Sequence, residues 1–161
     1  MNLQEHHYSA RIRWTGNLGS GTSGYRSYSR DHEVDVDGPG LLLGTADPTF
    51  HGTKERWNPE QLLLAAVAQC HMLSYLHVAV KNGVIVTGYR DTATGSLRLN
   101  RDGSGEFTGV VLRPHVELLD EAQASLADSL HGEANRLCFI ARSVNFPVHH
   151  EPTSGPTPQH S

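Results

Sequence analysis

Cysteine is scarce in this chain: Cys70 and Cys138 are the 2 present among 161 residues. That number excludes a disulfide-dense secreted scaffold and a four-cysteine zinc module. A basic surplus is missing as well. Lys plus Arg total 13 against 17 Asp plus Glu, a net charge of -4, which argues against a main role in gripping nucleic acid or an anionic membrane. The N-terminus has no basic region followed by an apolar stretch, so cytoplasmic residence is the expectation. Several catalytic signatures are absent too. The sequence holds no G-x-S-x-G elbow, no H-x-x-x-H pair and no C-x-x-C pair, so neither a hydrolase nucleophile nor a metal site is expected despite 11 His. Gly19 to Gly24 matches the string G-x-G-x-x-G, but strand-like residues follow where a dinucleotide site needs a helix.

The patterning that is present gives an α+β fold, with strands grouped in antiparallel hairpins and helices apart from them. Tyr8 to Trp14 alternates with period two, and the alternation resumes from Tyr25 to Val36, predicting a hairpin across a glycine-rich turn. A long loop is expected from Gly38 to Trp57. Asn58-Pro59-Glu60-Gln61 combines a capping residue, a proline suited to the first helical position and a capping-box glutamine. The helix it opens runs through Leu62, Ala66, Cys70, Leu73 and His77 to a stop near Asn82-Gly83. Its apolar residues wrap most of the circumference, which predicts a central helix buried on several sides rather than a membrane span. Val84–Leu99 and Glu106–Leu118 read as two strands joined by a turn at 100–105, and Asp120 caps a second long helix through about Leu137. Val144–Val148 reads as a short edge strand. One domain over residues 1–151 and a disordered polar tail over 152–161 complete the expected layout.

Each cysteine falls on one of the two helices. Cys70 is either a small buried hydrophobe or half of a cycling dithiol pair, and its polar neighbours Gln69 and His71 in an apolar helix weaken the first reading without deciding for the second. Cys138 is expected as an exposed thiol at the end of the other helix. Glu60 is explained by the helix macrodipole, but its ten-residue step to Cys70 offers another role. One helix separates the two by ~15 Å along its axis, whereas two helices packed antiparallel across a two-fold axis would bring Glu60 of one chain to Cys70 of the other.

The run Asn58-Pro59-Glu60-Gln61-Leu62-Leu63-Leu64-Ala65-Ala66 leading to Cys70, and the run Cys138-Phe139-Ile140-Ala141-Arg142-Ser143-Val144-Asn145-Phe146-Pro147-Val148, resemble those of the OsmC/Ohr family. These are the osmotically inducible proteins C and the organic hydroperoxide resistance proteins. The resemblance covers roughly residues 8 to 151. The Cys70-His71-Met72 and Cys138-Phe139-Ile140 versions resemble a less characterised branch.

What the resemblance implies is an intertwined homodimer that reduces organic hydroperoxides or hydrogen peroxide, with no bound cofactor and an external dithiol, such as a lipoylated protein, as reductant. It implies Cys70 as the peroxidatic thiolate, Cys138 as the resolving thiol, and Glu60 as the partner of an arginine that holds the thiolate and polarises the peroxide. An unassisted thiol is mostly protonated at neutral pH, and a permanently charged guanidinium suits the task. Arg30 is the first choice for that arginine, Arg26 the second and Arg56 the third. His71, beside the nucleophile, is a candidate for tuning it. Two other uses of the fold stay open: a small-molecule binding pocket, and a redox sensor whose disulfide alters an interaction.

Overall fold

The capping box at Asn58 forms as the sequence predicts. Asn58 Oδ1 accepts from Gln61 N at 2.8 Å and Gln61 Oε1 accepts from Asn58 N at 3.1 Å, which satisfies two amides that a helix start leaves open. The structure is a computed structural model that describes residues 4–156. The chain, expected as one domain, packs as two compact units that divide between Leu62 and Leu63.

In the first unit β1 (Arg11–Trp14) pairs antiparallel with β2 (His32–Val36). Arg11 faces Asp35 and Arg13 faces Glu33 across the ladder, with ion pairs in both cases. The second strand is shorter than its alternation suggested, because Arg30 turns back to bond the carbonyls of Tyr25 and Tyr28. The expected loop after Gly38 contains a third strand, β3 (Gly40–Gly44), antiparallel to β2. Leu41-Leu42-Leu43 has no period of two to announce a strand. Its ladder is set up by a turn in which Gly38 and Gly40 take positive φ, the region that glycine enters without steric cost.

Helix α1 (Pro59–Lys81) ends as expected, where Gly83 at φ 69 leaves the helix and Val84 N bonds Ala79 O at 3.0 Å. Its burial is narrower than its composition suggested. Val67, His71, Tyr75, Val78 and Ala79 are buried, a single stripe at helical spacing, while Leu73 and Val80 remain 61% and 79% exposed.

In the second unit both long predicted strands are split. The chain forms β4 (Val86–Asp91), β5 (Thr94–Leu99), β6 (Gly105–Leu112) and β7 (Pro114–Leu118). β4 and β7 belong to one sheet, and β5 and β6 to another. Arg113 holds the two switch points together. Its amide donates to Asp91 Oδ1 at 2.7 Å, and its guanidinium bonds Thr94 Oγ1 at 2.8 Å and Glu151 Oε2 at 3.0 Å. The predicted turn between β5 and β6 is present, with Asn100 N bonding Ser104 O at 2.8 Å.

The second long helix is in fact three pieces: a 3-10 turn at Glu121–Gln123, α2 (Ala124–Ser129) and α3 (His131–Leu137). Asp120 caps the first as expected. Ser129 and Gly132 on either side of the break are weak helix formers, and Leu130, with its amide shared between the carbonyls of Leu126 and Ala127, marks the break. Ala127, Leu130, His131 and Ala134 are all buried.

The expected edge strand begins only at Val148: β8 (Val148–His150) adds to β6 in parallel. The expected disorder over 152–161 is also corrected in part, since β9 (Thr153–Pro156) pairs in parallel with β7. Its polar side chains contribute little, but backbone pairing with the edge of β7 needs none of them. Residues 157–161 lie outside the described part. The sheets are therefore mixed at their edges within an α+β fold.

Removing the cap tests the helix start. Asn58→Ala should lower the unfolding free energy by about 1 kcal/mol, measured by urea denaturation at pH 7.

Candidate active site

Cys70 sits in the middle of α1, and Cys138 is the residue that ends α3, with extended backbone at φ -69 and ψ 112. Both thiols are free. They are neighbours: Cys70 shares a cavity lining with Leu137 and Phe139, the residues on either side of Cys138, and acts on the Cys138 thiol. Cys138 was expected to be exposed and is instead fully buried. Leaving the helix at this residue turns its side chain inward, and Sγ accepts a hydrogen bond from Ala141 N at 3.4 Å. Burial, reinforced by the nearby Cys70, pushes the Cys138 thiol up to about 11, while the Ala141 amide opposes the shift. The two cysteines thus differ. Cys138 is held neutral inside, whereas half-buried Cys70 opens onto a cavity of about 410 Å³.

Leu73, Ser74 and His77 line that cavity from the same face of α1, with Leu137 and Phe139 opposite. Spacings of three, four and seven residues put these side chains on one side of a helix. An apolar wall around a reachable thiol can take a molecule with an organic body and a reactive end.

The other two predicted residues occur in the first unit. Arg30 and Glu60 line one cavity of about 250 Å³ together with His32, Thr45, Asp47 and Phe50. Arg30 is held in place: Nη1 donates to Tyr25 O at 2.7 Å and Tyr28 O at 2.9 Å, and the guanidinium lies 4.0 Å from the Tyr28 ring centroid. Such stacking on an aromatic face suits guanidinium. Glu60 lies in the first turn of α1, where the helix dipole favours its charge. Thr45 is buried, and its hydroxyl has no partner among the described residues. Arg26 is exposed on the turn before β2, and Arg56 approaches Asp31 at 3.6 Å.

One group of residues was not foreseen. His71, proposed as a tuner of Cys70, points into the interior, because neighbouring side chains on a helix diverge. His71 Nε2 is 2.9 Å from His131 Nδ1, with the rings stacked at 5.3 Å and 13°. Tyr75 stacks on His131 at 4.0 Å, and His150 lies 5.8 Å from His71. Burial drives His71 down to about 4, with His150 adding to it. Burial likewise takes His131 down to about 3, helped by His71 and then His150. Both rings are neutral at pH 7. They share one proton, so whichever ring donates, one outer nitrogen is a donor and the other an acceptor. Those outer atoms, His71 Nδ1 and His131 Nε2, are buried without a partner among the described residues. The polar His71 in an apolar helix was the available signal, but nothing in the sequence pairs it with a residue 60 positions away.

The family model described as OsmC-like protein matches residues 52–153. An OsmC-like protein of unknown function from Vibrio cholerae O1 biovar eltor has a solved structure with a TM-score of 0.82 and 31% identity. The match covers 92% of this chain and 99% of that one. The organic hydroperoxide resistance protein OhrB of Bacillus subtilis matches with a TM-score of 0.63 and 20% identity, over 93% of this chain and 98% of its own, a likeness of fold. The uncharacterized protein YmaD of Bacillus subtilis is 24% identical over 148 residues, 88% of this chain and 89% of YmaD.

The buried histidines set a pH dependence. Their folded values lie below the ordinary 6.5, so the unfolded chain binds more protons between the two. Their contribution is complete above pH 6.5 and is lost as pH falls, by up to about 1.4 kcal/mol per pH unit for each ring. Guanidinium unfolding at pH 7, 6 and 5 should show this fall, and His131→Phe, which leaves the His71 contribution, should roughly halve its slope.

Proposed function

The chain belongs to the OsmC-like family, and from that premise we propose that it is a thiol-dependent hydroperoxide reductase. The observation that carries the proposal is the accessible Cys70 at an apolar cavity with the buried Cys138 thiol as its neighbour. In the proposed cycle the Cys70 thiolate attacks the distal oxygen of the hydroperoxide. The O–O bond breaks, Cys70 becomes a sulfenic acid, and the departing alkoxide takes a proton to leave as the alcohol. Cys138 then attacks the sulfenic sulfur and water leaves. An external dithiol reopens the resulting disulfide by exchange, becoming oxidised in turn.

The working unit in this proposal is a homodimer. α1 buries one stripe and leaves apolar Leu73 and Val80 exposed, a surface that a second copy would cover. Glu60 and Cys70, ten residues apart on this helix, would then act across a two-fold axis, with Arg30 accompanying Glu60 in their shared cavity. There a guanidinium orients the peroxide and favours the thiolate. The persistence of a cycling thiol pair suits a reducing, cytoplasmic setting.

A redox sensor is the second reading, favoured by one observation. Cys138 is fully buried, which pushes its thiol up and leaves little thiolate to resolve the sulfenic acid, as suits a long-lived oxidised state.

Consumption of cumene hydroperoxide with dithiothreitol or a lipoylated protein tests the proposal. Wild type should turn over repeatedly and Cys70→Ser should fall to background. A single equivalent consumed without further turnover would support the sensor instead. Mixed Glu60→Ala and Cys70→Ser chains should recover about a quarter of wild-type activity. Half of randomly paired dimers are mixed, and each mixed dimer keeps one of its two sites. No recovery on mixing would rule out action across the interface.

A further inference from the structure

α1 and the α2–α3 run lie antiparallel, and three pairs of residues bridge them in order. Cys70 lies against Leu137 and Phe139, which flank Cys138, His71 bonds His131, and the Tyr75 hydroxyl donates to Ala127 O at 3.0 Å. Only the first of these pairs enters the proposed reaction. The second is adjacent to it, since His71 follows Cys70 directly and His131 begins the helix that Cys138 ends.

A disulfide tolerates little displacement, because its Cα atoms must lie within roughly 4.4–6.8 Å of each other. Besides His131, α3 buries one residue, Ala134, in the core on α1. The helix is 7 residues long and has no side-chain cap at its start. Its first residue is fixed from α1 instead, by the His71 hydrogen bond at 2.9 Å and the Tyr75 ring at 4.0 Å.

The pair is also an expensive way to fill space. It leaves two buried ring nitrogens without partners among the described residues, where apolar side chains of similar volume carry no such polar atoms. Buried polar groups that cost stability are best attested as devices that set register. We infer that His71 and His131 are positioning residues that hold α3 against α1 in the register at which Cys70 and Cys138 close a disulfide. The inference rests on reading the two cysteines as a redox pair. The groups facing the histidines are Tyr75 from α1 and His150 from β8, with His149 acting on His150. Asp128 of α2 and Tyr89 of β4 face Tyr75 in turn.

The test is the disulfide equilibrium itself, which needs no peroxide. Reduced protein is brought to equilibrium with glutathione buffers at pH 7, where the dithiol and oxidised glutathione give the protein disulfide and two reduced glutathiones. The oxidised fraction is read by mass after acid quenching and alkylation. His71→Phe should lower the equilibrium constant by about tenfold, a rise of about 30 mV in reduction potential. His71→Gln, whose amide falls near the Nε2 position, should stay within about twofold of wild type on the same scale. A purely structural role would move the melting temperature of either variant and leave this constant unchanged, and that result, in His71→Phe folded by circular dichroism, overturns the inference.

A milder pair serves if His71→Phe does not fold. His131→Asn keeps an amide at the bonded Nδ1 position and His131→Gln moves it away, so Asn should retain the wild-type constant and Gln should lose it. Equal constants for the two overturn the inference. If wild type forms no Cys70–Cys138 disulfide, the redox reading falls and takes the inference with it. A wild-type disulfide with unaltered variants removes the positioning role alone.

Discussion

One stripe of α1 organises the second unit. Val67, His71, Tyr75, Val78 and Ala79 are the helix's buried residues, and the core gathers on them. Tyr75, Val78 and Ala79 pack with Val116 and Leu118 of β7 and with Ala127, Leu130 and Ala134 of the α2–α3 run. Val67 packs with Val110 and Leu112 of β6. The two sheets therefore share a helix, and the position of Cys70 follows from it. Cys70 is one residue off the stripe, half-buried, with its sulfur between interior and cavity.

That placement separates two thiols that sequence alone treats alike. A reachable thiol beside an apolar wall and a sealed thiol held neutral by burial have different chemistry, although each is one cysteine on a helix. The same helix carries exposed Leu73 and Val80 on its other faces. Burying one stripe of an all-round apolar helix leaves surface that water does not favour, and this connects the packing of one chain to the proposed dimer.

Local signals were legible where the physics is local. Asn58 and Gln61 formed their reciprocal cap because four consecutive residues suffice for it, and the turn at Asn100–Ser104 formed for the same reason. Longer segments were misread where a distant partner decides. The stretch from Val84 to Leu99 reads as one strand because both of its halves are strands. Only Arg113, bonding Asp91, Thr94 and Glu151, shows where the chain changes sheets. β3 and β9 were missed because Leu41-Leu42-Leu43 and Thr153-Ser154-Gly155-Pro156 carry no pattern of their own and take their strand form from the ladder beside them.

By itself the sequence determined the family, the α+β class and the start and end of α1. Capping, helical periodicity and the two cysteine motifs are all encoded within short stretches of chain. Tertiary structure alone decided that Cys138 is buried, that Cys70 opens to an apolar cavity, and that Arg30 shares a cavity with Glu60. It also decided that His71 bonds His131 rather than serving its neighbour Cys70. Burial, ring stacking and hydrogen bonding between residues 60 positions apart depend on which surfaces meet, and no local pattern carries that information.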